Sequence, residues 1–192
     1  MSSDAQLDYW RGAGGDEYTA RNRVDWHARV PFWAHIIGIV QFGSVMEIGC
    51  NAGWNLWAIR SLNAHVSIEG IDVNPTAVRE CEDARLNVRH AHRGVHGVGG
   101  KYDLIFTAGV LIHIAPDDIM DTMKAIVERS SRYVLAVEYA DTAETAVPYR
   151  GRNDLLWRRD YGALYQSLGL SLVETGDAGA GFDRCTYWLM HK

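Results

Sequence analysis

The sequence of 192 residues lacks several features that mark specialised classes of protein. Its three cysteines, Cys50, Cys81 and Cys185, are scattered and show no Cys-x-x-Cys spacing. Neither a disulfide framework nor a metal site is therefore expected. No apolar stretch is long enough for a membrane span, and the first residues have neither the basic start nor the apolar run of a secretory signal. We expect a reduced, cytoplasmic protein with no membrane partner.

Positive charge is also scarce, because the formal net charge is -5 at pH 7. An acidic chain does not hold a polyanion through bulk charge, so no nucleic-acid partner is expected. Hydrophobic residues make up 47% of the sequence, which is enough for a continuous core. The length suits one domain.

Apolar runs alternate with helical patterns along most of the chain. The runs predict strands at residues 44–48, 66–71, 87–91, 102–107, 132–139, 170–175 and 185–191. Helices are predicted at residues 19–29, 31–42, 54–62, 75–84, 117–129 and 154–168. This order predicts an α/β fold, a Rossmann-like, doubly wound, mostly parallel seven-stranded sheet with helices on both faces. We expect one domain over residues 1–192, with residues 1–43 as an N-terminal helical lid and 44–192 as the core.

A glycine-containing turn follows the first predicted strand, where ligands bind such sheets. It runs Glu47-Ile48-Gly49-Cys50-Asn51-Ala52-Gly53. Gly49 and Gly53 let the backbone approach a ligand closely, and Asn51 tolerates a left-handed conformation. Asp72 ends the second strand, about 20 residues on, where a carboxylate accepts both ribose hydroxyls of a nucleoside. The alternative is that the glycines only shape the turn and Asp72 caps the helix at Pro75.

The turn lacks the third glycine of a dinucleotide site and instead resembles motif I of the class I methyltransferases, which bind S-adenosylmethionine. Asn51 replaces the middle glycine of that motif, and the third strand's tip at residues 89–92 lacks the acid often used on adenine. The resemblance implies Glu47 near the methionine amino group, Asp72 on the ribose and Asn74 against the adenine. It also implies cofactor contacts from Gly49, Cys50, Asn51, Gly53, Val73, Ala108 and Gly109.

Candidate catalytic residues follow the fourth and fifth strands. His113 is the first candidate for a general base, because histidine titrates near neutral pH; the alternative is a histidine that packs on the cofactor or bonds a backbone carbonyl. Glu138 and Tyr149 are further catalytic candidates, and Tyr139 is a candidate substrate ligand. Arg150 and Arg152 precede a predicted helix and present fork-shaped donors suited to a carboxylate or phosphate. Arg158 and Arg159 are expected on a solvated helix face.

Several segments resemble one narrower family, the pseudaminic acid biosynthesis-associated methylases. They are residues 15–22, 49–56, 108–114, 138–139 and 147–154 with Arg159-Asp160. The resemblance implies a small-molecule substrate such as an amino sugar, a nucleotide sugar or a related anionic metabolite. It also implies that Tyr18, Arg21 and Asn22 close over the cofactor, with Thr19 as an alternative helix cap. A nucleic-acid methyltransferase and a non-catalytic S-adenosylmethionine-binding module are the two rival functions, and the oligomeric state is not predicted.

Overall fold

The computed structural model describes residues 3–192, with side chains from residue 5 onward, and its centre is a seven-stranded sheet. The sheet strands are β1 Ser44–Ile48, β2 Ser67–Asp72, β3 Val88–His90, β4 Tyr102–Ala108, β5 Ser130–Glu138, β8 Ser171–Asp177 and β9 Thr186–His191. The strand order is β3-β2-β1-β4-β5-β9-β8. The first five strands pair in parallel, while β9 is antiparallel to both neighbours. The predicted fold class is confirmed.

Helices cover both faces of the sheet. They are α1 Ser3–Arg11, α2 Ala13–Arg21, α3 Val30–Ile39, α4 Trp54–Leu62, α5 Pro75–Asp83, α6 Ile119–Arg129 and α7 Tyr161–Ser167. Short 3-10 helices occur at Trp26–Arg29, Gly94–Gly97 and Leu111–His113, and β6 Thr145–Ala146 pairs with β7 Trp157–Arg158 outside the main sheet. None of the helices within residues 3–192 is both long and apolar enough to cross a bilayer.

Alternate side chains of each central strand enter two separate cores. In β4, Leu104 and Phe106 belong to the cluster beneath α3 and α4, whereas Ile105 belongs to the cluster beneath α6 and α7. All three side chains are fully buried. The near-continuous apolar sequence of the strand follows from burial on both faces.

The N-terminal helices differ from the prediction. The helix expected at residues 19–29 is instead the end of α2, which stops at Arg21, and a 3-10 helix at Trp26–Arg29. The Asp25 carboxylate accepts the His27 N–H at 3.0 Å and so starts a new turn. Thr19 lies inside α2 and does not cap it, and α1 was not predicted. The first two residues of the expected lid lie outside the described part of the chain.

The helix expected at residues 154–168 begins only at Tyr161. The Asp160 carboxylate accepts the Ala163 N–H at 2.9 Å and caps it, and the preceding residues are drawn into β7. As a result Arg159 is 2% exposed and not on a solvated helix face. The expectation of a solvated helix face was wrong for Arg159, which is buried. Arg158 is exposed, but it lies in β7 and not on a helix.

Candidate active site

The turn after β1 has the backbone conformation that its sequence demands. Gly49 and Gly53 have φ of 69° and 78°, and Asn51 has φ of 45°. A Cβ on Gly49 would lie 2.5 Å from a methyl carbon of Val110, and one on Gly53 would lie 2.3 Å from Leu86. Both glycines are therefore required by the turn and by its packing against protein atoms.

Asp72, at the tip of β2, is tied to this turn. Its carboxylate accepts the backbone N–H groups of Asn51 and Asn74, each at 2.8 Å. The side chain that caps α5 is Asn74, which accepts the Ala77 N–H at 2.9 Å, so Asp72 is not the cap. Burial raises the pKa of Asp72, and this effect is larger than the lowering of the pKa by the hydrogen bonds from these backbone amides.

A cavity of about 400 Å³ lies above the tips of β1, β2 and β4; we call it the cofactor cavity. Most of the residues expected to bind a cofactor line it: Tyr18, Asn22, Glu47, Gly49, Cys50, Asn51, Asp72, Val73, Asn74, Ala108 and Gly109. The lining does not include Arg21 or Gly53. The tip of β3 lacks the acid that often binds adenine, and the residues that line the cavity just after this strand are Arg93 and His96. Asp121 of α6 also lines the cavity.

Five of the seven buried side-chain polar atoms without a partner in residues 5–192 belong to residues of this wall. The donors are Gln6 Nε2, Trp10 Nε1, Asn51 Nδ2 and Trp54 Nε1, and the acceptor is Glu47 Oε2. Unpaired buried groups are costly. The wall is therefore suited to a ligand that brings several acceptors and at least one donor, as an adenosyl group joined to an amino acid does.

Helices α1 and α2 cover the cofactor cavity. Thr19 donates its hydroxyl hydrogen to Asn51 Oδ1 at 2.9 Å, and the Gln6 side-chain oxygen accepts the Ala115 N–H at 3.0 Å. Asn74 Nδ2 donates to Asp16 at 3.0 Å, so Asn74 has both ends of its side chain engaged with protein. The cover is held by polar contacts to the strand tips.

A second cavity of about 380 Å³ adjoins the first; we call it the acceptor cavity. The two share a wall formed by Tyr18, Asn22, Arg29, Ala108, Gly109 and His113. Tyr139, Tyr149, Arg150 and Arg21 line only the acceptor cavity. The predicted cofactor and substrate residues are thus brought to two adjacent spaces that meet at β4.

His113 lies at the junction of the two cavities. Its Nδ1 is 2.6 Å from the Leu155 carbonyl oxygen, and because a carbonyl only accepts, Nδ1 carries the proton and Nε2 does not. Burial lowers the pKa of His113 to about 4. The ring packs against Trp10, with centroids 4.4 Å apart. His113 is therefore a neutral hydrogen-bond acceptor at neutral pH, and it also makes the backbone contact that was the alternative to catalysis.

Glu138 is placed beneath the 3-10 helix that carries His113. Its carboxylate accepts the N–H groups of Val110, Leu111 and Ile112 at 3.2, 3.1 and 3.4 Å. The side chain is fully buried, and burial raises its pKa to about 7. Neither cavity includes Glu138 in its lining.

Arg159 holds the same helix from its other side. Its guanidinium donates to the Leu111 carbonyl at 3.1 Å and the Ile114 carbonyl at 2.9 Å, and it pairs with Glu144 at 2.7 Å. The segment that carries His113 thus donates its backbone N–H groups to the Glu138 carboxylate. Its carbonyl oxygens accept hydrogen bonds from the Arg159 guanidinium, so both side chains fix its position.

The two loop arginines expected to bind substrate are placed differently. Arg150 lines the acceptor cavity, whereas Arg152 donates to both carboxylate oxygens of Asp154 at 2.9 and 3.1 Å and lines neither cavity. Arg21 donates to the Tyr149 hydroxyl oxygen at 2.6 Å, which joins α2 to the same loop.

Comparisons with known proteins agree with this geometry. Residues 46–132 match the family model described as a methyltransferase domain, and no curated protein matches the sequence. The magnesium protoporphyrin IX methyltransferase ChlM of Synechocystis PCC 6803, with bound S-adenosylmethionine, is 15% identical with a TM-score of 0.72, covering 100% of this chain and 98% of that chain.

Two further solved structures are similar. The 1,6-didemethyltoxoflavin-N1-methyltransferase of Burkholderia thailandensis, with S-adenosylhomocysteine, is 14% identical with a TM-score of 0.71, covering 100% of this chain and 88% of that chain. The N-terminal domain of EvdMO1, in the presence of S-adenosylhomocysteine and D-fucose, is 13% identical with a TM-score of 0.60, covering 86% and 82%. At these identities the likeness shows the fold.

The matched segment contains most of β1, the glycine turn, Asp72 and the tip of β4, which form the floor of the cofactor cavity. The segment is a methyltransferase domain, and the fold is that of methyltransferases solved with S-adenosylmethionine or S-adenosylhomocysteine. The expectation of a methyltransferase is confirmed. The narrower resemblance to the pseudaminic acid biosynthesis-associated methylases stays a prediction.

The lining residues that the sequence analysis did not single out include Gln6, Trp10, Arg29 and Asp183. Trp10 lies in an N-terminal segment rich in aromatic residues, with Tyr9, Tyr18, Trp26, Phe32 and Trp33, and that enrichment is its only signal in the sequence. Arg29 is the last residue of the helix predicted at residues 19–29 and belongs to no motif. Such residues reach the site through tertiary packing, which a single sequence does not display.

Proposed function

We propose that this methyltransferase acts on a small anionic metabolite, of the class of amino sugars or nucleotide sugars, in the cytoplasm. The observation that carries the proposal is the charge of the acceptor cavity. Arg21, Arg29 and Arg150 line it against one carboxylate, Asp183, in a chain of net charge -5. A local excess of guanidinium groups in an acidic protein favours an acceptor that carries negative charge.

The size and walls of the acceptor cavity support a compact acceptor. Its volume is about 380 Å³, within the lower range of small-molecule sites. Tyr139 and Tyr149 add hydroxyl groups and flat faces suited to a polar ring. Asp183 offers an acceptor for an amine or hydroxyl of the substrate.

His113 is the group we assign to proton acceptance. The cofactor supplies an electrophilic methyl group on sulfonium, so the protein has to orient the nucleophile and remove water, which is worth roughly 7–11 kcal/mol of barrier in well-oriented systems. The unprotonated Nε2 of His113 accepts a hydrogen bond from the acceptor's hydroxyl or amine. Glu138 acts through the helix under His113, and we assign it a positioning role. Tyr149 is assigned to orienting the acceptor, since its hydroxyl is already held by Arg21.

The proposed lid is the segment of α1 and α2 that covers the cofactor cavity. Polar contacts that hold it to the rest of the protein include Thr19 to Asn51 and Arg21 to Tyr149. Interactions of this kind open and close at low cost compared with a packed core. The cofactor would enter when these contacts open, and water would be excluded when they close.

The test is a paired acceptor screen. The protein is incubated with S-adenosylmethionine and pools of sugar acids, amino-sugar acids and nucleotide sugars, and S-adenosylhomocysteine is quantified by mass spectrometry. A parallel pool carries carboxamides in place of carboxylates, and single-stranded DNA and RNA form a third arm. We expect turnover in the anionic pools and a loss of turnover in His113→Gln.

Each rival function has its own outcome in this screen. Equal turnover of carboxamides would refute the anionic acceptor, and turnover of nucleic acid would establish that rival class. Binding of S-adenosylhomocysteine without turnover of any pool would favour a non-catalytic module.

A further inference from the structure

The segment between β5 and α7 folds back on itself as a hairpin outside the main sheet. Its base is the pairing of β6 with β7. Its tip is a two-residue turn, across which Tyr149 and Arg152 exchange both backbone hydrogen bonds, at 2.7 and 3.0 Å. Tyr149, Arg150 and Leu156 line the acceptor cavity, so we call residues 145–158 the acceptor hairpin. It forms one wall of that cavity.

The turn at the tip carries an unfavourable residue for its backbone conformation. The two central residues, Arg150 and Gly151, have φ of 54° and 73°. Positive φ at both positions is the mark of a type I′ turn, for which Asn-Gly and Asp-Gly are the favoured sequences. Most L side chains meet steric cost in this region, which glycine avoids and asparagine reduces. The turn is therefore less stable with arginine than it would be with asparagine.

The protein itself gives no contact that would explain this arginine. Among the arginines of the acceptor cavity, Arg21 donates to the Tyr149 hydroxyl oxygen at 2.6 Å, and Arg29 donates to a backbone carbonyl at 3.0 Å. The Arg150 guanidinium has no hydrogen bond or ion pair within residues 5–192, and the residue is exposed. Backbone strain that no protein contact offsets points to a functional role for the strained residue.

The same hairpin is fixed to the junction of the two cavities. Leu155, in its second strand, is fully buried, and its carbonyl oxygen is the 2.6 Å partner of His113 Nδ1. Arg159, directly after the hairpin, pairs with Glu144, directly before it, at 2.7 Å. One continuous element therefore sets the position of Arg150 relative to His113.

We propose that the acceptor hairpin selects the methyl acceptor: its tip keeps Arg150 in a left-handed conformation, at a cost in stability, so that the guanidinium binds the acceptor's negative group at a fixed distance from His113. The group is a carboxylate or a phosphate, which a guanidinium binds with two hydrogen bonds. The inference rests on the anionic acceptor of the proposed function. It adds the residue that confers selectivity and the reason why arginine occupies an unfavourable turn.

The first measurement is thermal unfolding, which needs no acceptor. Arg150→Asn should raise Tm by about 1–3 °C, because asparagine adopts the left-handed conformation more readily. Arg150→Lys keeps the strain and should leave Tm unchanged. Arg184→Asn is the matched control, since Arg184 has φ of 51°, is exposed and lines neither cavity. Its Tm should rise by a similar amount.

The second measurement is turnover of the best acceptor from the anionic pools, compared with a neutral analogue. The sugar-acid and nucleotide-sugar pools distinguish a carboxylate from a phosphate as the recognised group. Arg150→Asn should raise KM for the anionic acceptor at least about 10-fold, with the affinity for S-adenosylhomocysteine unchanged. The preference over the neutral analogue should fall with it. Arg184→Asn should keep the wild-type KM.

Inorganic phosphate tests the tip without an acceptor. With S-adenosylhomocysteine bound, the Tm of each protein is measured in phosphate and in chloride at equal ionic strength. Phosphate stabilises folded proteins in general, so the informative quantity is the difference between variants. We expect an additional, saturable rise in wild-type protein and in Arg184→Asn that is lost in Arg150→Asn.

The outcomes separate this proposal from the proposed function. If Arg150→Asn does not raise Tm, the tip is not strained by arginine and the proposal is wrong. It is also wrong if Arg150→Asn keeps the wild-type KM, or if phosphate acts equally on wild-type protein and Arg150→Asn. If the phosphate response depends on Arg150 but no anionic acceptor is turned over, the proposed function fails while the tip stands as an anion site.

Discussion

The cofactor cavity and the acceptor cavity are neighbours, but they are built in different ways. The floor of the first consists of the tips of β1, β2 and β4, where short runs of sequence follow buried strands. The second is assembled from α2, the 3-10 helix at Leu111–His113, the loop around Arg150 and the segment before β9. One site is specified largely by local turn geometry, and the other by long-range packing.

That difference decides how far the sequence predicted each site. The spacing of Gly49 and Gly53 identifies the turn around Asn51, and the position of Asp72 at a strand end identifies the acid. These two local signals were enough to predict the class of cofactor. Arg152 was expected at the acceptor site because, like Arg150, it precedes a predicted helix and carries a fork-shaped donor, but its guanidinium pairs with Asp154. Side chains in a helix or a strand follow a regular period, but those in a loop do not, so the sequence does not show which way a loop side chain points.

The same contrast explains the errors in the fold. The buried strands and the helices opened by Pro31 and Pro75 were placed within a few residues, because burial and fixed φ act locally. The helix expected at residues 154–168 failed because Trp157 and Arg158 pair with β6, a contact no local signal encodes. Glu138 was read as catalytic since it ends a strand, yet its partners are the amides of another segment.

The largest expected effect is on the acceptor side, at Arg159. Arg159→Met removes the donors to the Leu111 and Ile114 carbonyls and should lower the free energy of unfolding by about 3 kcal/mol. Urea denaturation measures it, with the exposed neighbour Arg158→Met as the control, expected within about 0.5 kcal/mol. Equal losses in both variants would show that the hydrogen bonds from Arg159 to the Leu111 and Ile114 carbonyls add nothing to the free energy of unfolding. The contrast between the two sites would then be weaker.

The next effect belongs to the cofactor side. Asp72→Ala should weaken S-adenosylhomocysteine binding by about 1.5–3 kcal/mol, because charge-assisted bonds to the ribose are lost. Calorimetry measures the change, and circular dichroism checks that the protein stays folded. Glu69→Gln, on the same strand but outside the cavity lining, is the matched control. Unchanged affinity in Asp72→Ala would remove that residue from the ribose site.

The raised pKa of Glu47 leads us to expect that the protein releases a proton when the cofactor binds. Burial raises its pKa from 4.5 to about 8 in the unliganded protein, so the protonated form favours folding; that contribution is complete below pH 4.5 and is lost as the pH rises through 8. An ammonium beside the carboxylate favours the ionised form. Binding S-adenosylhomocysteine at pH 7 should therefore release up to one proton, and the release should vanish above about pH 9.

Calorimetry in buffers of different ionisation enthalpy measures that release. Glu47→Gln should abolish it, while Glu174→Gln, an exposed-strand carboxylate outside both cavities, should not. A heat of binding independent of buffer at pH 7 would mean that Glu47 does not change its protonation when the ligand arrives.

The lid predicts a smaller effect that links the two sites. S-adenosylhomocysteine should slow proteolysis within residues 1–30 several-fold, since ligand stabilises the closed state. Thr19→Val removes the bond to Asn51 and should reduce the protection. Identical cleavage with and without ligand would make α1 and α2 a fixed cover instead of a lid.

The smallest effect should separate the two loop arginines once an acceptor is known. Arg150→Lys keeps the charge but loses the fork geometry, so the acceptor KM should rise several-fold with cofactor affinity unchanged. Arg152→Lys disturbs only its contacts outside the cavities, among them the exposed pair with Asp154, and such pairs are worth about 0–1 kcal/mol. Its KM should stay at the wild-type value. If both variants behave alike, proximity in sequence predicted the acceptor site as well as the structure does. If only Arg150→Lys raises KM, the side-chain directions in this loop decide which arginine meets the acceptor.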